Sequence, residues 1–219
     1  MSERFFAPRH RRIAFEGLRR IVAGFARVYW RVTVDGREHI PAGAFILAPV
    51  HRSNIDGPLM CTVTTRPMLY LIKSEAWKYG VSAKFFDYFG GIPVDRGEPD
   101  RAAMRRCQDV LASGDPLVLF PEGTRQSGPL VADVFDGVAF LALRAGVPIV
   151  PVGIGGSSRV QPKGSKLLKP AKVHVVVGEP IAVERPEGRV PRRAVQELTE
   201  RLVGDLQLVF DEAQAKSGA

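Results

Sequence analysis

The sequence lacks several features that mark common classes of protein. Its two cysteines, Cys61 and Cys107, are too few for a disulfide framework and show no spacing typical of a zinc site. No run approaches the ~18 apolar residues of a membrane-spanning helix, and the pattern of a secretory signal is missing. Walker A, GxGxxG and GxSxG motifs are absent too, so nucleotide binding and a serine nucleophile lack support. These absences favour a protein of the reducing cytosol with no permanently bound metal or cofactor.

The charges of the sequence are unevenly distributed. Of the 219 residues, 45% are apolar and 25% are charged, as in an ordinary globular protein with one core. Lysine and arginine outnumber aspartate and glutamate by 31 to 23, and the excess lies mostly in residues 1–31, which hold eight arginines and two glutamates. We therefore expect a basic segment over residues 1–31 and an α/β domain over residues 32–219.

The basic segment has the periodicity of an amphipathic helix. Its apolar side carries Leu18, Ile21, Val22, Phe25, Val28 and Tyr29, and its basic side carries Arg12, Arg19, Arg20, Arg27 and Arg31. The apolar side either packs on the core of the domain or lies at a membrane surface, with the arginines on anionic headgroups. Nucleic-acid binding is a third alternative, but no recognisable binding motif accompanies the arginines.

After this helix, short apolar runs alternate with helical patterns, which predicts a single central, mostly parallel sheet with flanking helices. Strands are expected at 44–50, 68–73, 91–95, 116–120, 147–154 and 172–178. Helices are expected at 57–64, 82–89, 99–113, 133–145 and 191–213, and residues 157–170 read as a surface loop. Ligands of such sheets bind at the carboxyl ends of the strands, so the segments that follow the strands are the candidate site.

The first such segment, VHRSNIDGP, contains a candidate catalytic pair. His51 follows a strand and Asp56 stands near the start of the next helix, because Pro58 is tolerated only in a first turn. A turn between them lets the carboxylate hold the imidazole while the histidine accepts a substrate proton near neutral pH. The alternative is structural: Ser53 and Asp56 also fit a helix cap, with His51 an ordinary loop residue.

Two further segments place arginines beyond strand ends. In FPEGTRQSG, Pro121 makes the turn rigid, Glu122 is expected to be an exposed carboxylate, and Arg125 supplies a guanidinium suited to phosphate. In VDRG, Arg96 follows the third predicted strand. The alternative is a solvated turn with an internal Glu–Arg pair and a surface arginine. With His51 as a base, the arginines favour a phosphorylated substrate whose hydroxyl is deprotonated.

Together these segments resemble the phospholipid and glycerolipid acyltransferase family. Four ordered blocks carry the resemblance: HxxxxD at 51–56, GGIPVDRG at 90–97, FPEGTR at 120–125 and VPIVPVGI at 147–154. It implies that the catalytic base and its orienting partner are His51 and Asp56, and that the acceptor is bound by Arg96, Glu122, Gly123, Thr124 and Arg125. Many members have lysines in the region where this sequence has Asp136. Lys73 is a candidate to supply the positive charge that is missing there. Val50 and Gln126 stand where many members of the family have asparagine and serine, respectively.

The resemblance also implies a reaction. A fatty acyl group would pass from acyl-CoA or acyl carrier protein, as donor substrate, to the free hydroxyl of a lysophospholipid. The favoured acceptor is 1-acyl-sn-glycerol 3-phosphate, which would give phosphatidic acid in phospholipid biosynthesis. Glycerol 3-phosphate or another lyso-lipid is an alternative acceptor, and a noncatalytic lipid-binding module is an alternative function. Anionic lipids of a membrane surface, not nucleic acid, are the expected partner, at the cytoplasmic face of the plasma membrane in a peripheral or monotopic protein.

Overall fold

The computed structural model describes residues 8–78, 80–95, 100–162, 165 and 167–218. In this part of the chain seven strands form one sheet in the order β1-β7-β6-β2-β5-β3-β4. The strands are β1 (Thr33–Asp35), β2 (Ile46–Pro49), β3 (Leu69–Lys73), β4 (Gly91–Val94), β5 (Leu117–Val118), β6 (Ile149–Gly155) and β7 (His174–Val177). β6 and β7 are antiparallel and every other pair is parallel, so β1 and β7 run opposite to the other five strands.

Helices flank this sheet and confirm the predicted fold class. They are α1 (Arg9–Tyr29), α2 (Asp56–Leu59), α3 (Gly80–Tyr88), α4 (Arg101–Ala112), α5 (Gly137–Ala145), α6 (Ser157–Val160) and α7 (Arg192–Ser217). Single 3₁₀ turns occupy Arg37–His39, Met60–Thr62 and Ser74–Lys78. Across the described residues, none of the helices combines the length and the apolar character that crossing a membrane requires.

β6 and α7 form the tightest contact between sheet and helix. All seven residues of β6 are buried, as expected for a continuous apolar run in the middle of a sheet. A Cβ added to Gly153 would lie 2.0 Å from the carbonyl oxygen of Val209, and one added to Gly155 would lie 2.0 Å from that of Ala213. These two glycines therefore let the backbone of α7 lie directly on the strand.

α1 differs from its sequence prediction in the face that it buries. It packs on the domain through Phe15, Ala23 and Ala26, all of which are buried. The predicted apolar side instead faces outward, with Ile21 71% exposed and Val28 82% exposed. Core packing and an exposed apolar stripe therefore coexist on one helix, because different residues serve each.

Three other local predictions need correction. The edge strand β1 was not predicted, because its three residues show little apolar pattern and gain their order by pairing with β7. The predicted loop at 157–170 begins with the short helix α6. The helix predicted from residue 133 begins at Gly137, since Asp133 has a positive φ of 54° and the N–H of Phe135 donates to the carbonyl of Pro121 at 2.9 Å.

The sheet order brings the candidate segments together. β2 pairs directly with β5, with Ile46 opposite Leu117 and Leu47 opposite Val118. Because the two strands are parallel, the turn that follows β2 and the turn that follows β5 leave the same edge of the sheet side by side. The first turn carries HxxxxD and the second carries FPEGTR.

Candidate active site

A histidine–aspartate pair lies directly beyond β2. Nδ1 of His51 is 3.0 Å from Oδ2 of Asp56, whose side chain is completely buried at the first residue of α2. The same carboxylate oxygen accepts the backbone N–H groups of Arg52 and Ser53, each at 2.6 Å. The turn thus wraps around the carboxylate. Asp56 therefore joins the turn to the imidazole, whereas the N-cap position of α2 is Ile55 and has no side-chain cap hydrogen bond.

The second ring nitrogen of His51, Nε2, is not engaged by the described residues. His51 keeps 14% of its side chain exposed, and its ring lies against the ring of Phe120, with centroids 4.2 Å apart. Within the described residues Nε2 of His51 has no hydrogen-bond partner. Because Asp56 accepts from Nδ1, the proton sits on that nitrogen and the lone pair is on Nε2. This geometry is that of a general base held in one tautomer.

Glu122 is buried, which corrects the expectation of an exposed turn carboxylate. Both of its carboxylate oxygens lie 2.7 Å from Nη1 of Arg52, and Oε2 also accepts the backbone N–H of His51 at 2.8 Å. The side chain of Glu122 is 0% exposed and that of Arg52 is 4% exposed. The glutamate therefore pairs with an arginine of the other turn and not with Arg125, as an internal pair would require.

Arg52 is the site residue that sequence reasoning missed. Its Nη2 donates to the carbonyl of Leu130 at 3.0 Å, and its guanidinium lies over the ring of Phe210, 4.7 Å from the centroid. Its place immediately after His51 was the only signal available. The partner, Glu122, is 70 residues away in the sequence, so only the pairing of β2 with β5 reveals the contact.

The turn after β5 supports the same arrangement. Gly123 has a positive φ of 62°, and a Cβ there would lie 2.8 Å from the ring of Phe135, so only glycine fits. The backbone N–H of Gln126 donates to the carbonyl of His51 at 2.8 Å, which ties the two turns together. Thr124 is exposed at the rim. Arg125 is half-buried, and no side chain of the described residues pairs with its guanidinium.

Two predicted binding residues remain, Arg96 and Lys73. Arg96 lies outside the described residues. Lys73 ends β3, and its ammonium is 2.6 Å from the carboxylate of Glu75 on the surface. Asp136, at the position where a lysine was expected, accepts the hydroxyl of Thr199 at 2.9 Å. Among the contacts of the described residues, none joins Lys73 to the His51 pair.

An apolar cavity of 560 Å³ adjoins the imidazole. Phe120, which contacts the ring of His51, also lines this cavity, so the base and the cavity share a wall. Other lining residues come from β3, α4, α5 and the segment that follows β5, and include Leu71, Leu119, Met104, Val138 and Leu141. A long apolar group fits such a lining better than a polar one, because burial of its CH₂ groups is favourable at about 0.8 kcal/mol each.

The two cysteines are unsuited to act as nucleophiles. Burial raises the pKa of the Cys107 thiol to about 12, with the charge of Asp100 as the next cause. Burial also raises the pKa of Cys61, although a hydrogen bond with Tyr70 and the nearby Arg19 oppose the rise. Because the thiolate is the reactive form, both side chains are unreactive thiols at neutral pH.

Comparison with known proteins gives the class of this chain. The sequence model of the acyltransferase family matches residues 31–155, more than half of the chain, and the chain belongs to that family. The resemblance predicted from the four motif blocks is confirmed at this level. The match covers β1 to β6 and therefore contains both turns of the site.

Individual relatives carry more specific names. A 1-acyl-sn-glycerol-3-phosphate acyltransferase of Bacillus subtilis is 27% identical over 152 residues, which cover 68% of this chain and 73% of the relative. A protein of the same name from Chlamydomonas reinhardtii is 27% identical over 179 residues, 75% of this chain and 54% of the relative. The chain spans about half the length of this algal protein and of two plant chloroplast relatives.

A solved structure shares the architecture. The crystal structure of the 1-acyl-sn-glycerophosphate acyltransferase PlsC from Thermotoga maritima matches with a TM-score of 0.73 at 26% sequence identity. The alignment covers 95% of this chain and 85% of the PlsC chain. The match extends well beyond residues 31–155 and so includes helices at both ends of the present fold.

Proposed function

We propose that this chain is an O-acyltransferase that moves a fatty acyl group from a thioester to the free hydroxyl of a lysophospholipid. The favoured acceptor is 1-acyl-sn-glycerol 3-phosphate, which gives phosphatidic acid. One observation carries the proposal: His51 is held by Asp56 through Nδ1, its Nε2 has no hydrogen-bond partner among the described residues, and its ring contacts Phe120, which lines the apolar cavity. The names of the relatives support the same acceptor.

The proposed reaction needs one base and no covalent enzyme intermediate. Nε2 of His51 accepts the proton of the acceptor hydroxyl, while Asp56 stabilises the imidazolium that forms. The oxygen attacks the thioester carbonyl, so that a C–O bond forms and the C–S bond breaks. The departing thiolate then takes the proton from Nε2. A thioester has a good leaving group, and this general-base assistance contributes about 10²–10⁴-fold.

The acceptor phosphate has a proposed place beside the base. Arg125 offers a half-buried guanidinium without a partner among the described side chains, at the end of the turn that also positions His51. Arg96 remains a proposed second phosphate ligand on the resemblance alone. Gly123 and Thr124 would form the rim of the acceptor site. Glu122 acts in this scheme by holding His51 and Arg52 in place, since its carboxylate is buried between them.

The donor and the membrane complete the proposal. Acyl-CoA or acyl carrier protein supplies the thioester, and the 560 Å³ cavity takes the acyl chain. The exposed stripe of Ile21, Phe25 and Val28 on α1 lies in the interface of an anionic membrane, flanked by arginines such as Arg27. Residues 1–31 are thus the proposed membrane-surface segment, and its helix α1 (Arg9–Tyr29) also packs on the domain of residues 32–219. The proposed location is the cytoplasmic face of the plasma membrane, with no nucleic-acid partner and no permanent cofactor.

A panel of acceptors tests this function. The purified chain is incubated with palmitoyl-CoA, or with palmitoyl carrier protein, and with lysophosphatidic acid, glycerol 3-phosphate or lysophosphatidylcholine, and products are identified by mass spectrometry. We expect phosphatidic acid from lysophosphatidic acid with at least one donor. Preferred acylation of glycerol 3-phosphate would favour the alternative acceptor. Lipid binding without transfer to any acceptor would contradict the enzyme and favour a binding module.

A further inference from the structure

Two neighbouring leucines between α6 and β7 are left in contact with solvent. Leu167 is 67% exposed and Leu168 is 41% exposed. In the sequence they stand between Lys166 and Lys169, and Lys169 is itself exposed. Packing within the domain does not explain two large exposed apolar side chains next to each other, and neither His51 nor the 560 Å³ cavity uses them.

The structure fixes this leucine pair beside the end of α1. The hydroxyl of Tyr29 donates to the carbonyl of Leu168 at 3.4 Å, and a few residues later the N–H of Val173 donates to the carbonyl of Trp30, directly after α1, at 3.1 Å. Phe25 and Val28, on the same last turns of α1, are exposed. The leucine pair therefore extends the apolar surface of α1 onto a second, separate segment.

The same segment is also tied to the candidate active site. It begins after α6, where the hydroxyl of Ser53 donates to the carbonyl of Gln161 at 3.1 Å. The N–H of Lys169 donates to the carbonyl of Val160 at 2.9 Å, which holds the two ends of the segment together. Ser53 belongs to the turn that binds the carboxylate of Asp56. One short segment thus connects the surface of α1 with the turn that carries the base.

We propose that Leu167 and Leu168 form a second membrane-inserting point, which binds the same anionic lipid surface as the exposed stripe of α1. The inference rests on the membrane partner proposed for α1. Leucine side chains reach the acyl boundary while flanking lysines stay at the headgroups, where their charge is attracted by anionic lipid. Two separate contacts also fix the rotation of the domain about α1, so that the turn of His51 keeps one orientation to the bilayer.

The charge around the leucine pair favours a lipid surface over other occupants. An exposed leucine elsewhere shows the contrast: Leu208 on α7 is 68% exposed, but Asp205, Asp211 and Glu212 surround it on the helix. An anionic membrane repels that surface and attracts the one next to Lys169. Leu208 is therefore a matched control with the same side chain and the same exposure as Leu167.

The test compares Leu167→Asp with Leu208→Asp in the full chain. Binding is measured by sedimentation with vesicles of phosphatidylcholine and anionic phosphatidylglycerol, and thermal unfolding is measured in parallel. We expect Leu167→Asp to weaken vesicle binding by about tenfold, because it removes the burial of one leucine and adds a repelled charge. Leu208→Asp should change binding by less than about twofold. Both variants should unfold at the temperature of the wild type, since neither side chain is packed in the core.

A direct readout accompanies the binding assay. The fluorescence of Leu167→Trp should shift to the blue on anionic vesicles and be quenched by lipids with brominated acyl chains, after subtraction of the wild-type signal. Leu208→Trp should show neither change. These signals need no turnover, so they are independent of whether the chain transfers acyl groups.

Different outcomes separate the possible failures. If Val28→Asp abolishes vesicle binding while Leu167→Asp binds like the wild type, α1 is the membrane helix and the inference about the leucine pair is wrong. If Leu167→Trp responds to a protein partner and not to vesicles, a protein interface replaces the lipid surface and the inference is also wrong. Loss of binding in Leu167→Asp with unchanged acylation of a water-soluble short-chain acceptor supports it.

Discussion

Two histidine–aspartate pairs in the described part of the chain have the same separation and different surroundings. His51 lies 3.0 Å from Asp56, and His174 lies 3.0 Å from Asp35. His174 also has Nδ1 only 2.6 Å from the hydroxyl of Thr33, so both of its ring nitrogens are engaged. His51 has one engaged nitrogen and one that forms no hydrogen bond with a described residue. The availability of the second nitrogen distinguishes a candidate base from a structural histidine.

The two carboxylates differ as well. Asp56 is completely buried and accepts two backbone N–H groups. Asp35 is half exposed and also binds Lys216 at 2.7 Å, and this lysine, with His174, lowers the pKa of the Asp35 carboxyl. Both pairs lie at one edge of the sheet, since β7 is antiparallel to β6 and begins opposite Gly155. A position at the ligand-binding edge therefore does not distinguish the two histidines. They differ in Nε2 of His51, which has no hydrogen-bond partner among the described residues.

Replacing each histidine gives the largest contrast. His51→Ala should lower kcat for acyl transfer to lysophosphatidic acid by about 10³-fold or more, because it removes the base. His174→Ala should leave kcat within about threefold and lower the unfolding temperature, because it removes two hydrogen bonds of about 1 kcal/mol each. Initial rates and thermal melts of the two variants measure both effects. Equal losses of activity would remove the distinction between the pairs.

Replacing the aspartate of each pair should give a smaller difference in kcat between the two pairs. Asp56→Asn should lower kcat by about 10²-fold or more, since an amide no longer stabilises the imidazolium, while KM for the acceptor changes little. Asp35→Asn should leave kcat unchanged, because His174 performs no chemistry. Steady-state kinetics on both variants checks the expectation, and a wild-type kcat in Asp56→Asn would show that His51 needs no charged partner.

The smallest expected contrast is in the free energy of unfolding, and it compares the ion pair that supports each histidine–aspartate pair. Glu122→Gln leaves the charge of Arg52 buried without its partner and should cost about 3–5 kcal/mol of unfolding free energy. Lys216→Ala breaks an exposed pair, and its small effect should depend on pH. The pKa of Asp35 is lowered in the folded state from 3.8, so the pair contributes stability above that value and loses it as pH falls further.

Chemical denaturation at pH 7 and at pH 3 measures both supporting pairs. The difference between wild type and Lys216→Ala should be present at pH 7 and shrink at pH 3. A stability of Glu122→Gln equal to that of the wild type would show that the buried pair is not needed to hold the two turns. The double change of Arg52 and Glu122 to Gln is the control, because it should recover part of the loss by removing the unpaired charge.

Local patterns predicted much of the fold. β2 and β6 coincide with continuous apolar runs and are buried at every residue, because a strand buried on both faces needs apolar residues at each position. Short elements escaped prediction. β1 has three residues and exists through its partner β7, while α5 begins late because the N–H of Phe135 is taken by the turn at Pro121. Such boundaries depend on distant backbone groups that the sequence pattern does not contain.

Residue types and their spacing were sufficient to predict the family and to nominate a candidate histidine–aspartate pair. Residues 51 and 56 are joined by one short turn, and FPEGTR is read as one block, so both patterns are local. How the pair is supported, and which surfaces stay exposed, depends on contacts between segments that are distant in the chain. Arg52 and Glu122 meet because β2 and β5 are neighbours, although 70 residues separate them. Likewise, an amphipathic pattern marks the apolar residues of α1, but which of them are covered depends on the shape of the domain beneath the helix.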